Sequence, residues 1–145
     1  MTSIKEAIYS HLTHDDAVVA FVKERVYPVG TAPATPRYPI LTYQRISGVH
    51  ERHLKGGTGI VNSRMQINCW AESGRVVDDL ADAVRESMDN FRGRMGQGES
   101  MTTVLAAHLD DDNDVFVPPT SQSATGKFGV QMDFLFFYEE SLTPA

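Results

Sequence analysis

Asp110-Asp111-Asp112-Asn113-Asp114 is the densest run of metal-seeking groups in the chain. It begins as an EF-hand calcium loop does, with oxygen ligands at alternate positions. That template needs Gly at its sixth position and Glu at its twelfth, where this chain has Val115 and Ser121. The run is therefore read as a solvated acidic turn at a hairpin tip. The rival reading is a small metal-dependent hydrolase using Asp110, Asp112, Asp114 and a His. His50-x-x-His53 sets two imidazoles close together, but no Cys or further His lies nearby to complete the three or four ligands of a zinc site. Gly56-Gly57-Thr58-Gly59 has the look of a phosphate-binding loop, yet it lacks the Gly-Lys-Ser/Thr ending and no helix follows it. It reads as a flexible tip. No Gly-x-Ser-x-Gly elbow is present, and the single Cys69 falls on the apolar side of an alternating segment, the setting of a small buried hydrophobe. Trp70 and the aromatic residues near the C-terminus offer stacking surfaces, but beside Met and Val at alternate spacing they read as core or interface. No catalytic, cofactor-binding or metal-ligating residue is assigned.

The elements that would position such residues are clearer. Arg64 to Trp70 alternates, with Met65, Ile67 and Cys69 on one face and Arg64, Gln66, Asn68 and Trp70 on the other, which predicts a half-buried strand. Ser73 is a suitable N-cap for the helix that follows. Val77, Leu80, Ala81, Val84, Met88 and Phe91 then form one stripe, and Gly93 stands where a left-handed residue would end the helix after Arg92. Burying the large side chains of that stripe is worth about 10 kcal/mol before chain entropy is subtracted. Ahead of this unit, capping boxes at Ser3–Glu6 and Thr13–Asp16 predict helical structure over residues 4–23. Pro28, Pro33, Pro36 and Pro39 make 29–39 an extended arm or loop. Ile40–Ile46 reads as a strand, Ser47–Gly59 as a long loop, Arg94–Glu99 as a connection and Met101–Leu109 as a strand. After the acidic turn, Val115–Val117 is a short strand and Pro118–Lys127 a loop. Phe128–Tyr138 closes the fold, with Phe128, Val130, Met132, Phe134, Phe136 and Tyr138 on one face. The expected fold is α+β: a small, mostly antiparallel or mixed sheet packed against a long helix, with an N-terminal helical segment, in a single domain of residues 1–145.

Composition narrows the function classes. A net charge of −6, with 13 scattered Lys and Arg, disfavours a protein whose work is to grip phosphates. The N-terminus has no secretory pattern and no segment approaches a membrane span, so a cytoplasm-like compartment is expected.

In order, the pieces resemble the tail-completion or tail-terminator proteins of long-tailed bacteriophages and prophages. The likeness rests on the N-terminal helix ending in Arg25-Val26-Tyr27-Pro28, the Pro-rich arm into Tyr38-Pro39-Ile40-Leu41-Thr42-Tyr43-Gln44-Arg45, then Arg64-Met65-Gln66-Ile67-Asn68-Cys69-Trp70-Ala71. The helix ending Phe91-Arg92-Gly93 and the long aromatic closing strand complete it. The resemblance implies a structural virion protein rather than an enzyme, made in the host cytoplasm. It implies a homo-hexameric ring that caps the tail tube, ends its polymerisation and meets the head-side connector protein, with DNA passing through unbound. The partners implied are thus further copies, the tail-tube protein and the connector. A head–tail connector or tail-tube subunit of the same particle is the neighbouring alternative. Residues expected at interfaces lie in three loops: Val49, His50, Arg52, His53, Lys55 and Gly57; Met95 and Glu99; Pro118 and Thr120. Asp111 and Asp112 of the acidic turn join them, and the Pro-rich arm is a candidate subunit clasp.

Overall fold

The computed structural model describes residues 4–53, 56–98, 101–121 and 125–139, with the backbone alone for 50–53 and 56–58. The capping box at Ser3 lies outside the described residues. Helix α1 (Ile4–His14) buries Ile4, Ala7, Ile8 and Leu12. Helix α2 (Asp16–Val22) begins later than the Thr13 box predicts, because Asp15 is its N-cap and accepts from the backbone N–H groups of Ala17 and Val18. Thr13 instead bonds back to the carbonyl of Tyr9 at 2.8 Å, inside the preceding helix. Strand β1 (Val26–Pro28) pairs in parallel with β2 (Ile40–His53), and residues 29–39 between them carry neither helix nor strand. Strand β3 (Gly56–Ala71) leads through the Ser73 N-cap into α3 (Gly74–Met88). Then come β4 (Gly93–Met95), β5 (Thr102–Val117) and β6 (Lys127–Glu139). They form one sheet in the order β1-β2-β3-β6-β5-β4.

The expectation of a small sheet packed on a long helix is corrected here. Strands β2, β3, β5 and β6 run for 14, 16, 16 and 13 residues, against 11, 7 and 15 for the helices. The sheet is the principal body, and the helices are short pieces laid on one of its faces. Most of the excess comes from segments that read as loops. Residues 47–53 and 56–59 continue β2 and β3, paired as far as His53 opposite Gly56. Asp110–Asp114 is the middle of one continuous β5 rather than a turn. The reason is common to both. Inter-strand hydrogen bonds depend on backbone groups alone, whereas alternation in sequence appears only where one face is buried. Bulges at Arg45/Ser47, His50/Arg52 and Leu109/Asp111 weaken the alternation further.

Helix α3 buries Val77, Leu80, Ala81, Val84 and Met88, as its stripe predicts. It ends earlier than Gly93, because Asn90 takes the left-handed conformation at φ 63°. Asp89 then accepts from the N–H of Leu109 at 2.9 Å, tying the helix end to β5. Gly93 is thereby released into β4, whose Met95 is fully buried. The core joins the three helices to one sheet face, centred on Met65, Ile67, Met132, Phe134 and Phe136. A hydrogen bond between Ser63 Oγ and the Tyr138 hydroxyl at 3.1 Å lies inside it.

Candidate interaction surfaces

Among the described residues no helix covers the opposite sheet face. Its side chains come from alternate positions, Thr42 and Gln44 of β2, Arg64, Gln66 and Asn68 of β3, and Asp133 of β6. They bond to one another across the strands. Arg64 donates from Nε to Asp133 at 3.1 Å and from Nη1 to Asp110 at 2.7 Å. Gln66 Nε2 donates to the second oxygen of Asp133 at 3.2 Å, and Gln44 Nε2 donates to Gln66 Oε1 at 3.1 Å. Asn68 Nδ2 reaches Thr42 Oγ1 at 3.3 Å. The bonds to Asp110 first, and to Asp133 second, hold the Arg64 guanidinium above its ordinary pKa. Toward the C-terminal end of β6 the face becomes more apolar, with Leu135 and Phe137, the latter stacked on His108.

Two ends of the sheet project. The last β3–β6 rung is Ile60 opposite Glu139, so β3 from Gly56 to Gly59 and its β2 partners continue alone for about 13 Å at a strand's rise per residue. Arg52, His53 and Gly57 lie on the backbone of this arm, and Val49, 60% exposed, and His50 stand at its base, opposite Asn62 and Val61. At the far end, the β5–β6 pairing finishes at Val117 opposite Lys127, next to the Pro-rich segment. A cleft of about 420 Å³ lies there, lined by Pro36, Tyr38, Glu72, Pro118, Thr120 and Lys127. Lys127 Nζ stands 3.5 Å from Glu72 and 5.0 Å from the centre of the Tyr38 ring. Burial first, and Glu72 second, raise the pKa of Tyr38.

The interface residues read from sequence are thus spread over distinct places. Arg52, His53 and Gly57 share the arm, with Val49 and His50 at its base; Pro118 and Thr120 share the cleft; Asp111 and Asp112 sit on β5. Met95 belongs to the core. Lys55 and Glu99 lie outside the described residues. The acidic run does not gather into a cation site. Asp111 pairs with Asp133 on the open face, while Asp112 and Asp114 pair with Met132 and Val130, whose side chains point to the other. Among the described residues no three His, Cys, Asp or Glu side chains converge. Burial pushes the Cys69 thiol well above its ordinary pKa, so it is not an activated nucleophile. Sequence reasoning missed the Arg64 lattice. Arg64 and Gln66 are visible as the polar side of a strand, but their partners Asp110 and Asp133 are far away in sequence.

Among solved structures, a chain in the virion of a native gene transfer agent particle has a like fold, with a TM-score of 0.71 at 12% identity. The match covers 94% of this chain and 95% of that one. Comparison with curated proteins gives no match. Among the described residues no helix is long and apolar enough to cross a membrane. The family model for tail completion protein gp17 matches residues 6–110, most of the chain, and the protein belongs to that family.

Proposed function

We propose that this protein ends a phage tail: it caps the finished tail tube, stops its polymerisation and forms the tail side of the head–tail joint. The observation that carries the reading is the family match over residues 6–110. It works without making or breaking bonds, as a homo-hexameric ring between the tail-tube protein and a head-side connector. The geometry supports this in one respect above all. Such a ring needs two different faces along its axis, and the sheet has two unlike ends, a projecting hairpin arm and a cleft walled by the Pro-rich segment. Fold likeness to a virion component adds support. With −6 per copy, six copies would place roughly −36 around a channel, favouring sliding of a duplex over adhesion.

Electron microscopy of particles assembled without this protein tests the reading. Overlong, headless tails are the expected result. Tails of normal length that fail to join heads would move the protein to the connector, and absent tails would make it a tube subunit.

A further inference from the structure

We propose that copies of this chain associate head to tail, the basic β2–β3 arm of one lying along the acidic outer edge of β5 of the next. The inference rests on the ring reading and names the contact that would close the ring.

Both segments are unpaired strand edges. β1 covers β2 only from Leu41 to Tyr43, and β4 covers β5 only from Thr102 to Val104. The hydrogen bonds of Asn90 and Asp89 extend the cover of β5 to Leu109. Beyond Gln44 on β2 and beyond Asp110 on β5, no strand lies outside them among the described residues. Such edges offer rows of free backbone donors and acceptors and pair readily with another chain. Each also carries large apolar groups in water. Ile46 and Val49 are 47% and 60% exposed on β2 where it leads into the arm, and Phe116 and Val117 are 54% and 41% exposed on β5.

Charge selects which edge meets which. Along the uncovered edge of β2 and into the arm, residues 45–53 hold Arg45 and Arg52 against the single acid Glu51. Residues 110–114 hold four Asp and no cation. Asp110 is neutralised by Arg64, but Asp112 and Asp114 are exposed and make no hydrogen bond or ion pair among the described residues. Arm against arm, or edge against edge, would set like charges together; arm against edge relieves both. One molecule cannot make this contact with itself. The arm projects past the end where β5 begins, and the acidic edge occupies the opposite half of that strand. The contact is therefore heterologous, the kind that closes into a ring when the rotation fits.

The test uses the full chain and two charge-reversed variants, Arg45→Glu/Arg52→Glu and Asp112→Lys/Asp114→Lys, with association followed by native mass spectrometry and sedimentation. Melting curves confirm that each is folded, and Asp112→Asn/Asp114→Asn serves as a milder edge variant. Wild type should assemble, each reversed variant alone should associate about 100-fold more weakly, and an equimolar mixture of the two should recover assembly with strict alternation. Wild-type association should weaken with added salt. A wild type that stays monomeric up to about 1 mM, reversed variants that assemble like wild type, or a mixture that fails to recover would each overturn the contact. Those results leave the terminator reading to stand or fall on tail length in particles lacking the protein.

Discussion

Gly129 on β6 sits opposite Trp70 on β3, and the indole lies across it. A Cβ at that position would stand 2.7 Å from Trp70 Cζ3 and 2.8 Å from Cε3. Carbon atoms rest about 3.5–4.0 Å apart, so the ring or the strand must give by about 1 Å. Overpacking of this kind costs about 1–3 kcal/mol. Against it stands a gain of about 0.4–1 kcal/mol, because Ala restricts the unfolded chain, and Gly129 does not have a positive φ that would strain Ala. Gly129→Ala should therefore destabilise by about 1–2 kcal/mol and lower the melting temperature by about 3–6 °C at this chain length. Trp70 is the sole tryptophan, so its fluorescence reports directly on the displaced ring. In a Trp70→Leu background the clash disappears, and the same glycine substitution should be neutral or stabilising. A Gly129→Ala protein that melts at or above wild type, with Trp70 present, would refute the close-approach argument.

Tyr138→Phe should cost about 1–3 kcal/mol by leaving Ser63 Oγ, buried at 0% exposure, without its partner, while Ser63→Ala/Tyr138→Phe together should recover much of it in a denaturant double-mutant cycle. Asp15→Ala should cost about 1 kcal/mol in the same assay, and Thr13→Ala much less, because the cap of α2 is Asp15. Burial raises the folded-state pKa values of Tyr43 and Cys69 above their ordinary 10.0 and 9.0. The unfolded chain then sheds those protons first, so stability is level below about pH 8 and falls as pH rises. Thermal melts that stay flat to about pH 11 would contradict this.

What could be read from the sequence was whatever has one wet and one dry side. Residues 64–70 alternate because Met65, Ile67 and Cys69 meet the helices while Arg64, Gln66 and Asn68 do not. The stripe of α3 and the alternation of β6 are legible for the same reason. The arm and the acidic half of β5 were not. Where both faces of a ribbon are wet, nothing forces side chains to alternate, and Gly or Asp can occupy a strand whose backbone ladder is intact. Helix ends failed on competition between neighbours: Asn90 takes the left-handed turn before Gly93 is reached, and Asp15 displaces Thr13 as a cap. The candidate surfaces were legible only as segments, since the pairing of 53 with 56 and the meeting of the Pro-rich segment with Val117, Pro118, Thr120, Thr125 and Lys127 are facts of tertiary structure. Family likeness survived these errors because it rested on the order of buried elements.

The open sheet face bears on where assembly energy can reside. Most of its polar groups satisfy one another, Asn62 Oδ1 and Asn68 Oδ1 being the buried exceptions, so covering it would mainly remove water from donors and acceptors that already have partners. The centre of that lattice is Arg64, which stands between Asp110 and Asp133 with the three side chains 29%, 40% and 19% exposed. An ion pair so open to solvent adds little by itself. Removing the guanidinium also leaves two carboxylates facing each other. Arg64→Ala should consequently cost more than Asp133→Asn, and adding Asp133→Asn to Arg64→Ala should recover part of the loss in denaturant titrations. If Arg64→Ala proved neutral for folding yet weakened association, the lattice would instead be part of an interface, and the arms and edges could no longer be the main source of the energy that holds copies together.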